Sequence, residues 1–172
     1  NLSESDLENL AKSAWNGFKS DEHGLYIEGR QIKSMFKESA NVIKNVLNVS
    51  AFKARVAERV FVQEDKVRLR IVDTENFFKE PSGSYEGMVH AMTAMGKISA
   101  LKRVDYVENA YIDFTLKILN EKIITKDKKR LDVPQYIMHL ITHSQENGLG
   151  AERSQGNGKF TCAFFGKVDT DE

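Results

Sequence analysis

Residues 148–158 carry four glycines in eleven positions, as two Gly-x-Gly pairs, Gly148-Leu149-Gly150 and Gly156-Asn157-Gly158, flanking Arg153. Glycine reaches positive φ at no Cβ cost and lets a second backbone come close, so neither a helix nor a strand is expected to run through this stretch. A turn-built loop is required there. Before it, Leu131, Val133, Ile137, Leu140 and Ile141 recur on one helical face. Asp132 stands in capping position, Pro134 in the first turn, and Asn147-Gly148 form a stop. After it, Phe160-Thr161-Cys162-Ala163-Phe164-Phe165 predicts an apolar strand. Successive N–H groups in such a turn can form an anion-binding concavity, which makes Gly148, Gly150, Arg153, Ser154, Gly156, Gly158 and Lys159 candidate phosphate contacts.

The rest of the chain alternates helical and extended patterns. Ser5-Asp6-Leu7-Glu8 has capping-box form, and Leu7, Leu10, Ala11, Ala14 and Phe18 predict a short helix ending near Gly17. Asp21-Glu22-His23-Gly24 reads as a turn and Leu25-Tyr26-Ile27 as extended. A second helix is predicted over Arg30–Leu47, with Ile32, Met35, Phe36, Ala40, Ile43, Val46 and Leu47 on its apolar stripe. Residues 53–62 and 66–72 read as a hairpin around Gln63-Glu64-Asp65. In its second arm Val67, Leu69 and Ile71 face one way, and Lys66, Arg68 and Arg70 face the other. That basic stripe is either a solvated outer face or a surface that tracks phosphates, and it lacks interleaved aromatics.

The segment 73–103 is the least regular part and reads as an insertion. Its methionines 88, 92 and 95 suit core gap-filling, and Lys97, Lys102 and Arg103 form a small cationic cluster. A strand is expected over 104–119, and Thr125-Lys126-Asp127-Lys128-Lys129-Arg130 marks a break before the last helix. The pattern is that of one α+β domain over 1–172, with an antiparallel sheet and helices packed on one face.

Charge narrows the functional classes. Twenty-five basic and twenty-five acidic residues cancel, which argues against a general nucleic-acid coat, because such proteins neutralise phosphates in bulk. Any polynucleotide surface is therefore local, with Arg30, Lys33, Arg68, Arg70, Lys102 and Arg103 as further candidate contacts. Cys162 is the sole cysteine, so an internal disulfide framework is excluded; a buried thiol and a reducing, cytoplasmic setting are expected. No apolar run approaches the length of a membrane-spanning helix, and no membrane partner is expected. His139 and His143, four apart on the last helix, could share a metal or supply a base. The Glu of a zinc-protease motif is absent, since Leu140 follows His139. Phosphate-loop, nucleophile-elbow and paired-cysteine motifs are also absent, so no cofactor, metal or catalytic residue is assigned.

The loop, of form G-x-G-x-x-x-S-x-G-x-G followed by Lys159 and Phe160, resembles the C-terminal signature of the repeat-associated mysterious proteins, the RNA-binding and RNA-processing subunits of CRISPR systems, and of related phage proteins. The resemblance covers residues 131–165. It implies a ferredoxin-like (RRM-like) fold, in which an N-terminal strand is missing or disguised and 73–103 is a projecting insertion. Gly24-Leu25-Tyr26-Ile27-Glu28-Gly29-Arg30-Gln31-Ile32-Lys33 is similar to a loop-then-helix element that contacts the RNA backbone in these relatives. The implied function is non-catalytic binding of RNA or single-stranded nucleic acid in a phage or CRISPR-related, antiviral-defence setting, with protein subunits or self-association as further partners. Two alternatives stay open. One is a protein-interaction module that docks on or imitates a host complex. The other is a metal-independent endoribonuclease, for which His23 is the positional candidate.

Overall fold

The computed structural model describes residues 15–93, 96–119 and 122–164. In chain order they form β1 (Trp15–Asn16), β2 (Lys19–Asp21), β3 (Gly24–Glu28), α1 (Gly29–Ile43), α2 (Phe52–Arg59), β4 (Val60–Val62), β5 (Lys66–Arg68) and β6 (Arg70–Ile71). Then follow β7 (Gly83–Thr93), β8 (Gly96–Tyr106), β9 (Ala110–Tyr111), β10 (Leu116–Ile118), β11 (Ile123–Ile124), β12 (Arg130–Leu131), α3 (Val133–Asn147) and a 3-10 turn at Arg153–Gln155. The result is a mixed α+β protein whose sheets are small and mostly antiparallel, none wider than three strands among the described residues. The chain divides into two compact units. Unit one holds the described residues up to Ile27 together with Arg68–Asp113, and unit two holds Glu28–Val67 and the described residues from Phe114 onward.

Unit one is built from strands. Its largest element is the β7–β8 hairpin, in which every residue from Gly83 to Thr93 has a partner between Tyr106 and Gly96, and β1 adds in parallel at Arg103 and Val104. Of the expected irregular insertion over 73–103, the part from Gly83 onward is thus this hairpin, while 73–82 hold turns and bends. The sequence signal is weak because Gly87 interrupts the side-chain pattern and apolar residues fall at both alternating sets of positions, leaving no period-two signal. The β2–β3 turn is fixed by Asp21, whose Oδ1 accepts the His23 N–H at 3.0 Å. Gly24 follows at φ +125°, with Phe78 O where a Cβ would sit, 2.4 Å away. Among the described hydrophobic side chains unit one buries only Leu25, Leu69 and Val104.

Unit two carries the main core. α1 turns Ile32, Met35, Phe36, Ser39 and Ala40 inward, and α3 contributes Tyr136, Ile137, Leu140, Ile141 and Ser144. Phe52 of α2 meets Tyr136 edge to face, with ring centroids 6.4 Å apart. Both long helices begin with a capping box. The Glu28 N–H donates to Gln31 Oε1 and the Asp132 N–H to Gln135 Oε1, each at 2.9 Å. The last helix thus starts and stops where Asp132, Pro134 and Gly148 predict.

Five other expectations are corrected. Residues 52–59 are a helix where a strand was expected. Phe52, Val56 and Val60 are buried at spacing four, and Glu58, which breaks a period-two reading, falls on the exposed side. The expected strand over 104–119 is three pieces, interrupted at 107–109, where Asn109 takes φ 53°, and again at 112–115. Residues 160–164 form no strand, and Cys162 is exposed rather than buried. Trp15 and Asn16, expected at a helix end, are extended, while the rest of that expected helix up to residue 14 lies outside the described residues.

Candidate nucleic-acid interface

The glycine-rich loop folds back on itself. The Leu149 N–H donates to Gly158 O at 2.9 Å, and the two Gly-x-Gly pairs cross at that point. A Cβ on Gly148 would lie 2.6 Å from Asn157 O, and one on Gly158 would lie 2.1 Å from Leu149 O. These two glycines are therefore required by backbone crowding alone. Gly150 and Gly156 have open space around them and serve as positive-φ turn residues. The Gln155 and Gly156 amides are engaged inside the 3-10 turn, by Glu152 O and Arg153 O.

The loop's cations are tied to carboxylates. Arg153 reaches back to α1 and donates to Glu38 Oε2 at 2.7 Å, and Lys159 donates to Glu146 Oε2 at 2.9 Å. Elsewhere in unit two, Arg30 at the start of α1 bonds Glu28 Oε2 at 2.6 Å, which raises its pKa further. Lys33, one turn on, sits 4.2 Å from the centre of the Phe61 ring. Ser154 and the remaining loop residues from Gly150 to Lys159, apart from the partly covered Glu152 and Arg153, are exposed.

Unit one holds the other four candidate cations. Arg68 grips Asp21 through both terminal nitrogens and stacks 5.5 Å from the Tyr26 ring centre. Arg70 lies over both Phe77 and Tyr111, at 5.2 and 5.9 Å, and bonds Asp113 at 3.3 Å. The Tyr111 hydroxyl, then Asp113, raises its pKa. Arg103 covers the indole of Trp15 at 4.4 Å, with the buried Asp105 carboxylate 3.9 Å away. Lys102 is its half-covered neighbour on β8. The aromatic interleaving missing from the basic strand in the sequence is supplied by other strands. The register β6–β9 sets Arg70 opposite Tyr111, and β1–β8 sets Arg103 opposite Trp15.

Trp15, Tyr85, Tyr106 and Tyr111 all keep more than a third of their surface in solvent. Beside Tyr111 a shallow depression of about 630 Å³ is bounded by Val72, Asp73, Thr74 and Glu75. It combines an aromatic face with two carboxylates.

Of the histidines named from the sequence, His139 and His143 are not turned toward each other. His23 is exposed beside Glu22 at 3.3 Å. His139 is exposed, whereas His143 turns inward, its Nδ1 3.0 Å from Ser39 Oγ. Ser39 in turn bonds the buried Ser144 Oγ at 2.8 Å, joining α1 to α3. No group of three metal-ligating side chains occurs among the described residues. The His143–Ser39–Ser144 chain has no motif in the sequence, although both serines stand within apolar helix stripes, where a buried hydroxyl needs a partner.

No helix among the described residues is long and apolar enough to cross a membrane. No protein-family model matches the chain, and no curated protein matches it closely enough to place it in a family.

Proposed function

We propose that the protein binds RNA or another single-stranded nucleic acid without cleaving it, and that unit one reads unstacked bases. The supporting observation is the arginine–aromatic pairing of Arg103 with Trp15, Arg70 with Phe77 and Tyr111, and Arg68 with Tyr26. Arginine planes and exposed rings are the surfaces on which single-stranded bases stack. The Asp73 and Glu75 carboxylates beside Tyr111 suit the amino groups of a base edge and repel phosphate. Each candidate arginine is already neutralised by a carboxylate, so stacking dominates over counterion release. The loop in unit two adds a phosphate contact when Arg153 exchanges Glu38 for the polynucleotide. The relation to the repeat-associated proteins, the ferredoxin-like core and a phage or defence setting belong to this proposal and rest on the loop signature.

Binding of a labelled single-stranded RNA followed by fluorescence anisotropy tests the reading. Tyr111→Ala weakens binding about tenfold, the scale of one lost base stack. Arg153→Ala lowers the salt slope by about 0.7, the share of one single-strand phosphate. Binding by the wild type that is unmoved by Tyr111→Ala refutes the stacking role.

A further inference from the structure

The outer edge of β7 points to self-association. In the three-stranded sheet the order is β1-β8-β7, so among the described residues β7 has a strand on one side only. With Thr93 opposite Gly96 as the closing pair, bonds to β8 fall at every second residue. The backbone N–H and C=O groups of Ser84, Glu86, Met88 and residues 90 and 92 consequently face outward. Edges of this length are normally protected by lysine, proline or a bulge. β7 holds neither lysine, arginine nor proline, and its one charge is Glu86, whereas β8 carries Lys97, Lys102, Arg103 and Asp105.

A second observation selects the occupant. Met88 and Leu101 face each other across the hairpin on one side of the sheet, and they are 67% and 58% exposed. Met88 is also the midpoint of the five outward-facing positions. A two-fold axis at Met88 pairs 84 with 92, 86 with 90, and 88 with its own copy. Met88 and Leu101 then form a four-residue apolar cluster with their symmetry mates, removing from water the two most exposed large hydrophobic side chains among the described residues of unit one. The register also keeps Glu86 away from its own copy, which a Glu86-centred axis would place in direct like-charge opposition.

We propose that two copies pair their β7 strands antiparallel about this axis, extending the sheet to β1-β8-β7-β7-β8-β1. The edge is self-complementary as an isologous interface requires, and the proposal stands apart from the nucleic-acid reading.

Light scattering of the intact chain over a concentration series gives the first arm. The expected mass rises to twice the 19.5 kDa of one chain, and Met88→Lys, which sets two cations face to face, returns it to one chain. The second arm is oxidative crosslinking in a Cys162→Ser background. Paired residues at the axis have Cα atoms about 5.5 Å apart, within disulfide range, so Met88→Cys is captured as a dimer. Leu101→Cys, about 14 Å from its copy across three strand spacings, is not. A single-chain mass at every concentration, a dimer that survives Met88→Lys, or equal crosslinking at the two positions overturns the proposal.

Discussion

Replacing Gly158 with alanine separates a glycine needed for packing from one needed only for its dihedral angle. Gly158 has φ +74° and Gly150 φ +104°, so alanine is strained at both, by about 1–2 kcal/mol. A part of that, about 0.4–1 kcal/mol, is offset by the stiffer unfolded chain. The neighbourhoods differ. Around Gly150 there is nothing within 4 Å, whereas a Cβ on Gly158 would sit 2.1 Å from Leu149 O. No rotamer change relieves a clash with a carbonyl, so the crossing must open and the 2.9 Å Leu149 N–H to Gly158 O bond is lost. Losing that bond and the packing of the half-buried Leu149 adds about 1–2 kcal/mol. Urea unfolding followed by circular dichroism reads the comparison. With a slope of about 1–3 kcal/mol/M, Gly158→Ala lowers the midpoint by roughly 0.5–1 M more than Gly150→Ala. Equal midpoints would refute the claim that the loop is closed by backbone crowding.

Two further outcomes follow from buried and charged contacts. Ser39→Ala strips the partner from the buried Ser144 hydroxyl and from His143 Nδ1, costing about 1–3 kcal/mol by urea unfolding. The Ser39→Ala/Ser144→Ala double variant costs less than the sum of the singles, because both hydroxyls leave together. Asp127 has a pKa held below its ordinary value, first by the Thr125 side chain and then by its own backbone and Lys129. A depressed folded-state pKa gives stability that is complete above the unfolded value of about 3.9 and fades as pH falls through the folded one. Asp127→Asn is therefore destabilising in neutral melts, and the difference from wild type closes below about pH 4.

The sequence was most legible where one local signal had one solution. Asp132, Pro134 and Gly148 each fix a helix boundary by dihedral or hydrogen-bond chemistry, and α3 follows them. Legibility failed where two periods fit the same residues. Phe52, Val56 and Val60 satisfy spacing two and spacing four alike, and burial against Tyr136 decides for the helix. It also failed where pairing partners are distant. The rings that cover Arg70 and Arg103 come from Tyr111, Phe77 and Trp15, and nothing in the sequence next to either arginine announces the pairing. The glycine composition suggests a ligand loop, yet two of its four glycines are explained by where the chain crosses itself.

Trp15 is the only tryptophan of the chain and lies, 41% exposed, beneath Arg103 in the proposed stacking surface. Titrating its fluorescence with a single-stranded RNA oligonucleotide over a salt series is the most direct measurement of base stacking by unit one. The account predicts saturable quenching, with a salt slope of at most about 1.5, two phosphates or fewer. An emission unchanged by RNA, or a slope several-fold steeper, would contradict it.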